Sequence, residues 1–127
     1  MPLAGLVFLA IAASISGLTN QFAQDDGVLI WKNPLVHDLL HSLRFFAEPY
    51  WPKPFTQDLY RPLALLSFAI QWAIGAGEPM VFRIVSYLLY TACALAVFRL
   101  VRLTLPFAAA FAAAALFAVH PVHVEAV

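Results

Sequence analysis

Long apolar runs are separated by one extended polar loop along this 127-residue chain, and the runs predict helices that cross a lipid bilayer. The run at residues 2–18 would cover about 25 Å as a helix, close to the roughly 30 Å of a bilayer core. Residues 81–103 form the clearest span, and residues 106–119 are apolar throughout but shorter, about 21 Å. The pattern therefore predicts three transmembrane helices.

A fourth apolar run, at residues 62–76, is short and is better explained as an interfacial or re-entrant helix. Arg99 and Arg102 lie in a short turn between two spans, so the positive-inside rule places that turn in the cytoplasm. If residues 62–76 crossed the bilayer, the turn would face outward. We therefore expect the loop at residues 19–80 and the end of the third span to share the outer side. The same topology leaves four basic loop residues outside, which argues against it: Lys32, Arg44, Lys53 and Arg61.

The loop contains a predicted amphipathic helix that begins with Asn33 as its N-cap and Pro34 at its first helical position. Its apolar positions recur at helical spacing: Leu35, Val36, Leu39, Leu40 and Leu43. Its polar positions fall on the other side: His37, Asp38, His41 and Arg44. Such a helix would lie flat on a membrane or on neighbouring helices. Aromatic residues after it suit the water–lipid boundary: Tyr50, Trp51, Phe55 and Tyr60.

Composition supports a membrane protein. The chain is 63% hydrophobic and 11% charged, whereas soluble domains are about half apolar and a quarter charged. Its net charge of zero gives no basic footprint for nucleic acid. The lone Cys93 has no partner for an internal disulfide. A secretory signal peptide is the alternative for the first apolar run, but no Lys or Arg precedes Lys32.

Two polar features in the loop are candidates for chemistry. Asp25 and Asp26 follow the first span, where adjacent carboxylates could supply a base or bind a cation; the alternative is a solvated turn ending at Gly27. In extended backbone the two side chains would point opposite ways. Arg61 precedes the apolar run at residues 62–76, and its planar guanidinium matches phosphate oxygens. The alternative for Arg61 is a side chain that reaches for lipid headgroups.

The third candidate is the stretch HPVHVEAV, which follows the short third span. If His120, His123 and Glu125 begin below the outer interface, their backbone must be buried in protein or line a cavity. Ionisable groups at that depth indicate function. Two histidines at His-x-x-His spacing without a third ligand are a weak zinc signal. The alternative is a pair of histidines that cap the helix.

In their order and spacing, the acidic pair, the YRPL stretch and HPVHVEAV resemble the transmembrane and tetratricopeptide-repeat-containing O-mannosyltransferases. These belong to the GT-C class of membrane glycosyltransferases, and the resemblance covers nearly the whole chain. It implies an all-α membrane protein with part of the GT-C fold. The chain would be the N-terminal part of the enzyme, without the later spans and the repeat domain, and would be inactive alone.

The resemblance also implies a reaction, in which a mannose-like sugar passes with inversion from a polyprenyl phosphate to a hydroxyl of protein Ser or Thr, or of a glycan. Asp25 or Asp26 would be the base, with Asp26 favoured, and Glu125 a second acid. Three residues would bind the lipid phosphate or the sugar: Arg61, His120 and His123. No cofactor is required, although a divalent cation stays open. The membrane would be that of the ER in a eukaryote and the inner or plasma membrane in a bacterium.

Two other classes of function stay open. The first is a non-catalytic membrane subunit or anchor, in which the motifs are structural. The second is a metal- or haem-binding membrane protein that uses the four histidines of the chain: His37, His41, His120 and His123.

Overall fold

The computed structural model describes residues 2–17, 21–22, 25–55 and 58–122, and every regular element in these ranges is helical. Four α-helices are present there: α1 (Pro2–Ser14), α2 (Pro62–Gly75), α3 (Pro79–Val101) and α4 (Phe107–Val119). Three short helical segments accompany them: 3₁₀ helices at Ile15–Gly17 and Leu39–Phe46, and a π-helical turn at Gly27–Trp31. The predicted all-α class is confirmed for these residues. The chain divides into two compact units, residues 21–82 and residues 1–20 with 83–127.

One helix within the described ranges is long and apolar enough to cross a membrane. This is α3, whose 23 residues cover about 35 Å. Helices α1, α2 and α4 are apolar but only 13, 14 and 13 residues long. Among the residues that the structure describes, one helix therefore has membrane-spanning length, and the count of three spans stays a prediction.

The unit of residues 1–20 and 83–127 has a core built from small and aromatic residues. Its buried members come from all three of its helices: Leu6, Ala10, Tyr90, Ala94, Phe98, Ala110, Ala114 and Ala118. The alanines of α4 recur every fourth residue and therefore lie on one face of the helix. Their methyl groups allow α1 and α4 to pack closely, as small residues do at helix interfaces in membranes.

The unit of residues 21–82 has its own core, in which α2 packs against the 3₁₀ helix at Leu39–Phe46. Its buried apolar residues are Leu29, Ile30, Val36, Phe45, Tyr50, Leu65, Ala69 and Phe82. Helix α2 begins with Pro62 at its first position, as predicted for a run starting there. It ends where Ala76 takes a left-handed conformation, with φ 49°.

The predicted amphipathic helix differs from the structure. The Asn33 side chain accepts a hydrogen bond from the Leu35 N–H at 3.1 Å, which starts a turn rather than an α-helix. The following 3₁₀ helix is interrupted at His41, with φ −102° and ψ 32°. The backbone also leaves helical geometry at Asp38, with φ −117° and ψ 77°, and this divides the expected apolar face. Val36 is fully buried, whereas Leu40 is 94% exposed. Tertiary packing therefore overrides the helical periodicity here.

Candidate functional site

Asp25 and Asp26 directly precede the short π-helical turn at Gly27–Trp31. The Asp25 carbonyl accepts hydrogen bonds from Val28 N–H at 3.0 Å and Leu29 N–H at 2.8 Å. Asp26 has helical backbone angles, φ −58° and ψ −37°, and its side chain does not cap the turn. Because a helical turn rotates successive residues by about 100°, the two carboxylates are not forced to opposite sides as they would be in a strand. Asp25 is exposed and Asp26 is half-buried.

Arg61 lies against Tyr50, a residue that the sequence placed only among the boundary aromatics. The guanidinium carbon of Arg61 is 5.4 Å from the centroid of the Tyr50 ring, within the range of a cation–π contact. Tyr50 is only 8% exposed. Its N–H donates to the Leu59 carbonyl at 2.8 Å, which fixes the loop two residues before Arg61. Arg61 therefore rests on a buried aromatic platform.

The electrostatics of Tyr50 connect Arg61 with the aspartate pair. Burial is the largest influence and raises the pKa of the Tyr50 hydroxyl. The positive charge of Arg61 and its side-chain hydrogen bond to Tyr50 act against that rise in pKa, whereas the negative charges of Asp25 and Asp26 add to it. One hydroxyl is thus within electrostatic reach of all three predicted residues. We call Asp25, Asp26, Tyr50 and Arg61 the Tyr50 cluster.

His120 directly follows α4 and makes local contacts. Its N–H donates to the Phe117 carbonyl at 3.3 Å. Its Nδ1 accepts a hydrogen bond from the Val122 N–H at 3.2 Å. His120 is the C-cap residue of α4 through its backbone N–H, and its side chain is exposed. His123 and Glu125 lie outside the described residues.

The loop histidines are engaged locally. His37 Nε2 lies 2.9 Å from the Ile30 carbonyl, and His41 Nδ1 lies 2.6 Å from the Asp38 carboxylate. In the part of the chain that the structure describes, no three His, Cys, Asp or Glu side chains are grouped so that they could hold a metal ion. Asp25 and Asp26 alone would leave a cation with few protein ligands, since Mg²⁺ and Ca²⁺ prefer six or more oxygens.

An open cleft in the unit of residues 21–82 does not contain the Tyr50 cluster. It has a volume of about 590 Å³ and is lined by basic, acidic and aromatic side chains, among them Lys32, Arg44, Lys53, Glu48 and Trp51. The cluster is defined by its charges and its aromatic contact.

Comparison with known proteins decides the family. The chain is 36% identical over 125 residues to protein O-mannosyl-transferase Tmtc2 of Drosophila melanogaster. The matched region covers 94% of this chain and 13% of the relative. It is 32% identical over 130 residues to protein O-mannosyl-transferase Tmtc1 of the same organism, covering 98% of this chain and 15% of the relative. The chain belongs to this O-mannosyl-transferase family.

The membership predicted from the acidic pair, YRPL and HPVHVEAV is thereby confirmed. Mouse protein O-mannosyl-transferase TMTC3 is 28% identical over 126 residues, covering 96% of this chain and 14% of the relative. The chain spans only about 13 to 15% of the length of these O-mannosyl-transferases. No family model matches the chain. No solved structure matches it either.

Among the predicted site residues of this family member, the structure groups three and describes one elsewhere. Arg61 contacts the Tyr50 ring, and the charges of Asp25 and Asp26 act on the Tyr50 hydroxyl, although more than thirty residues separate the aspartates from the arginine in the sequence. His120 belongs to the other compact unit. Nothing in the sequence marked Tyr50 beyond its place among the boundary aromatics.

Proposed function

We propose that the full-length protein is a membrane O-mannosyltransferase. It moves a mannose-like sugar from a polyprenyl-phosphate donor to a hydroxyl of protein Ser or Thr, with inversion at the transferred carbon. The observation that carries the proposal is the contact of Arg61 with the buried Tyr50, whose ring centroid lies 5.4 Å from the guanidinium carbon, and the charges of Asp25 and Asp26 act on the same Tyr50 hydroxyl. The names of the relatives, protein O-mannosyl-transferases, support the choice of reaction.

The carboxylates provide the base that an inverting displacement needs. The acceptor hydroxyl attacks the sugar on the face opposite to the leaving phosphate, and its proton passes to a carboxylate within hydrogen-bond reach. We assign this role to Asp26, which is half-buried, whereas Asp25 is exposed. Partial burial of Asp26 limits competition from water for the base. Asp25 adds negative charge next to it and orients the acceptor.

Arg61 provides positive charge for the leaving group. As the bond to the sugar breaks, negative charge grows on the phosphate of the lipid, and a fixed cation stabilises that charge. A guanidinium has five N–H donors in a planar fork, more than the Tyr50 hydroxyl engages. The remaining donors of Arg61 suit phosphate oxygens, which arginine binds in a bidentate manner.

The proposal extends to residues and topology that the family resemblance implies. Glu125 is the second acid, and His120 and His123 bind phosphate or sugar. The protein crosses the membrane several times, in the ER of a eukaryote or the inner or plasma membrane of a bacterium, with Asp26 and His123 on the outer side. Cysteine labelling at positions 26 and 123, in a Cys93→Ser background and sealed vesicles, tests this. Labelling of the two positions from opposite sides would contradict the shared site.

Mannosyl transfer by the full-length protein in membranes, with acceptor peptides and a polyprenyl-phosphate mannose, is the direct test of the chemistry. Asp26→Asn should lower kcat at least about 100-fold, since a positioned base contributes that much or more. Asp58→Asn is the matched control, because Asp58 is an exposed carboxylate of the same unit. If Asp25→Asn and Asp26→Asn both transfer sugar at the wild-type rate, neither aspartate is the base; if the wild-type protein transfers no sugar, it is a non-catalytic membrane subunit. Chelation with EDTA determines whether a divalent cation takes part.

A further inference from the structure

The 3₁₀ helix at Leu39–Phe46 has apolar side chains on two sides, and only one of these sides is buried. Phe45 is fully buried in the core of its unit. Leu43, in contrast, is 83% exposed, and Phe46 is 50% exposed. Because a 3₁₀ helix has three residues per turn, Leu43 and Phe46 lie one above the other. Leu40, one turn earlier, is also exposed, so the outer side of the helix is apolar.

Tyr60 extends the outer side of this helix. Its hydroxyl donates to the Phe46 carbonyl at 2.9 Å, and its side chain is exposed. A tyrosine combines an apolar ring with a polar tip and is common at the water–lipid boundary. Single exposed apolar residues are ordinary on a protein surface, whereas adjoining ones mark an interaction site. We call this set the outer ridge: Leu40, Leu43, Phe46 and Tyr60.

Three basic side chains line one cleft of the same unit: Lys32, Arg44 and Lys53. The cleft adjoins the outer ridge, because Arg44 directly follows Leu43. Among the residues that the structure describes, no carboxylate forms an ion pair with any of the three cations, and the acidic Asp38 of the cleft pairs with His41 instead. The predicted topology places all three cations on the outer side of the membrane, against the positive-inside rule. A negatively charged ligand would compensate their charge there.

The unit of residues 21–82 includes the first turn of the helix that is long enough to cross a membrane. Phe82, in the first turn of α3, is buried in the core of this unit. Because α3 spans the bilayer in the proposed topology, the unit lies at the membrane surface. Lipid is therefore the partner within reach of the outer ridge and its cations. Acyl chains would surround the apolar side chains, and headgroup phosphates would compensate the positive charge.

We propose that the outer ridge inserts into the bilayer and that Lys32, Arg44 and Lys53 bind the phosphates of the lipid headgroups. We call this the lipid contact. It rests on the membrane topology given under the proposed function and not on the transfer of sugar. Tyr60 belongs to the ridge, and Arg61 is the next residue. The lipid contact therefore holds Arg61 at the level of the headgroup phosphates, which is also the level of the phosphate of a polyprenyl donor.

Photo-crosslinking in the full-length protein, reconstituted in phosphatidylcholine nanodiscs, tests the insertion of the ridge. Leu43→p-benzoylphenylalanine puts a photoreactive group on the ridge, and because Leu43 is exposed, this change should not disturb folding. His41→p-benzoylphenylalanine is the matched control, since His41 is exposed on the same 3₁₀ helix but pairs with Asp38. Lipid adducts at position 43 should exceed those at position 41 at least about tenfold, the preference that burial of a leucine-sized side chain gives.

Nanodiscs with equal amounts of phosphatidylcholine and anionic phosphatidylglycerol test the role of the cations. In these nanodiscs, Leu43→p-benzoylphenylalanine should form more adducts with phosphatidylglycerol than with phosphatidylcholine. Arg44→Gln in the same background should lower the ratio of the two adducts by up to about fivefold, the contribution of one basic residue at an anionic surface. Glu48→Gln is the matched variant of opposite charge at the same cleft, and it should raise the ratio.

The lipid contact is overturned if position 43 crosslinks to another segment of the protein or to a second copy, because the ridge is then a protein interface. Equal lipid labelling at positions 41 and 43 overturns it too, as does a lipid ratio that Arg44→Gln leaves unchanged. None of these measurements requires turnover. Lipid adducts at position 43 in a protein that transfers no sugar would support the lipid contact while the proposed reaction fails. Sugar transfer by a protein that forms no such adducts would overturn the lipid contact alone.

Discussion

The imidazole of His37 lies on the indole of Trp72, with ring centroids 3.6 Å apart and 16° between the ring planes. The same imidazole donates from Nε2 to the Ile30 carbonyl at 2.9 Å, because a carbonyl oxygen can only accept. Trp72 in turn meets Trp31 edge to face at 5.7 Å. Through its hydrogen bond to Ile30 and its stacking on Trp72, His37 joins the π-helical turn to helix α2.

We expect His37→Ala to lower the free energy of unfolding by about 1 to 3 kcal/mol, because the variant loses both an aromatic stack and a hydrogen bond to the backbone. His41→Ala is the control. The side chain of His41 is 66% exposed and pairs with Asp38 at the surface, so its loss should cost at most about 1 kcal/mol. Unfolding in detergent, followed by tryptophan fluorescence, measures both. Equal losses in the two variants would show that the stack adds no stability.

Gly77 lies in the turn between α2 and α3, and its contribution to the free energy of unfolding can also be tested. Its φ is +86°, and a Cβ there would lie 2.8 Å from Trp72 Cη2 and 3.1 Å from Trp31 Cζ3. Gly77→Ala should therefore lower the free energy of unfolding by about 2 kcal/mol or more, from backbone strain and the clash together. Gly27→Ala is the control, since nothing lies within 4 Å of a Cβ at that position. Gly27→Ala should not lower the free energy of unfolding and can stabilise its helical turn slightly. A fully stable Gly77→Ala protein would contradict this description of the turn.

The helices could be predicted closely where local signals mark their ends. The run at residues 62–76 appears as Pro62–Gly75, because Pro62 favours the first turn, and the helix ends where Ala76 takes a left-handed conformation. The span at residues 81–103 appears as Pro79–Val101. The first run, at residues 2–18, is an α-helix only as far as Ser14 and continues as a 3₁₀ helix.

The loop segment and part of the candidate site could not be predicted from hydrophobic periodicity, because they depend on tertiary packing. The loop helix predicted from Asn33 onward is broken because Val36 and Phe45 are both fully buried in one core, which the regular spacing of an α-helix does not provide. Asp25, Asp26 and Arg61 could be selected by residue type and position. Their common neighbour Tyr50 could not, because its role depends on burial and on a ring contact that only the folded chain creates.

The raised pKa of Tyr50 predicts a loss of stability in alkali. Burial raises this pKa above its ordinary value of 10.0, so the folded protein keeps the phenolic proton at a pH where the unfolded chain releases it. The contribution of this group to stability is complete below about pH 10 and is lost as pH rises through the folded pKa, by at most about 1.4 kcal/mol per pH unit. The Tyr50→Phe variant has no phenolic proton and should not lose stability in this way. Unfolding free energies of both proteins between pH 8 and pH 12 should converge toward alkali if the phenolic proton is responsible, and stay parallel if it is not.

Close packing of α1 and α4 predicts sensitivity to side-chain volume. Ala114 is fully buried, whereas Ala112, half a turn earlier on α4, is exposed. Ala114→Leu should lower stability by about 1 to 3 kcal/mol through overpacking. Ala112→Leu should be close to neutral, because its side chain points away from the core. Thermal unfolding in detergent compares the two, and similar melting temperatures would mean that α1 and α4 separate easily.

The hydroxyl of Tyr90 donates to two carbonyls in the last turn of α4, those of Phe117 at 3.1 Å and Ala118 at 3.0 Å. The final carbonyls of a helix have no partner within the helix and ordinarily need water or a polar cap. Within hydrocarbon neither is at hand, and an orphaned carbonyl there is costly. Helix α4, with 13 residues, covers only about 20 Å. If α4 is the third span that the sequence predicts, this donor from a neighbouring helix allows α4 to end below the aqueous boundary, with His120 still within the thickness of the bilayer.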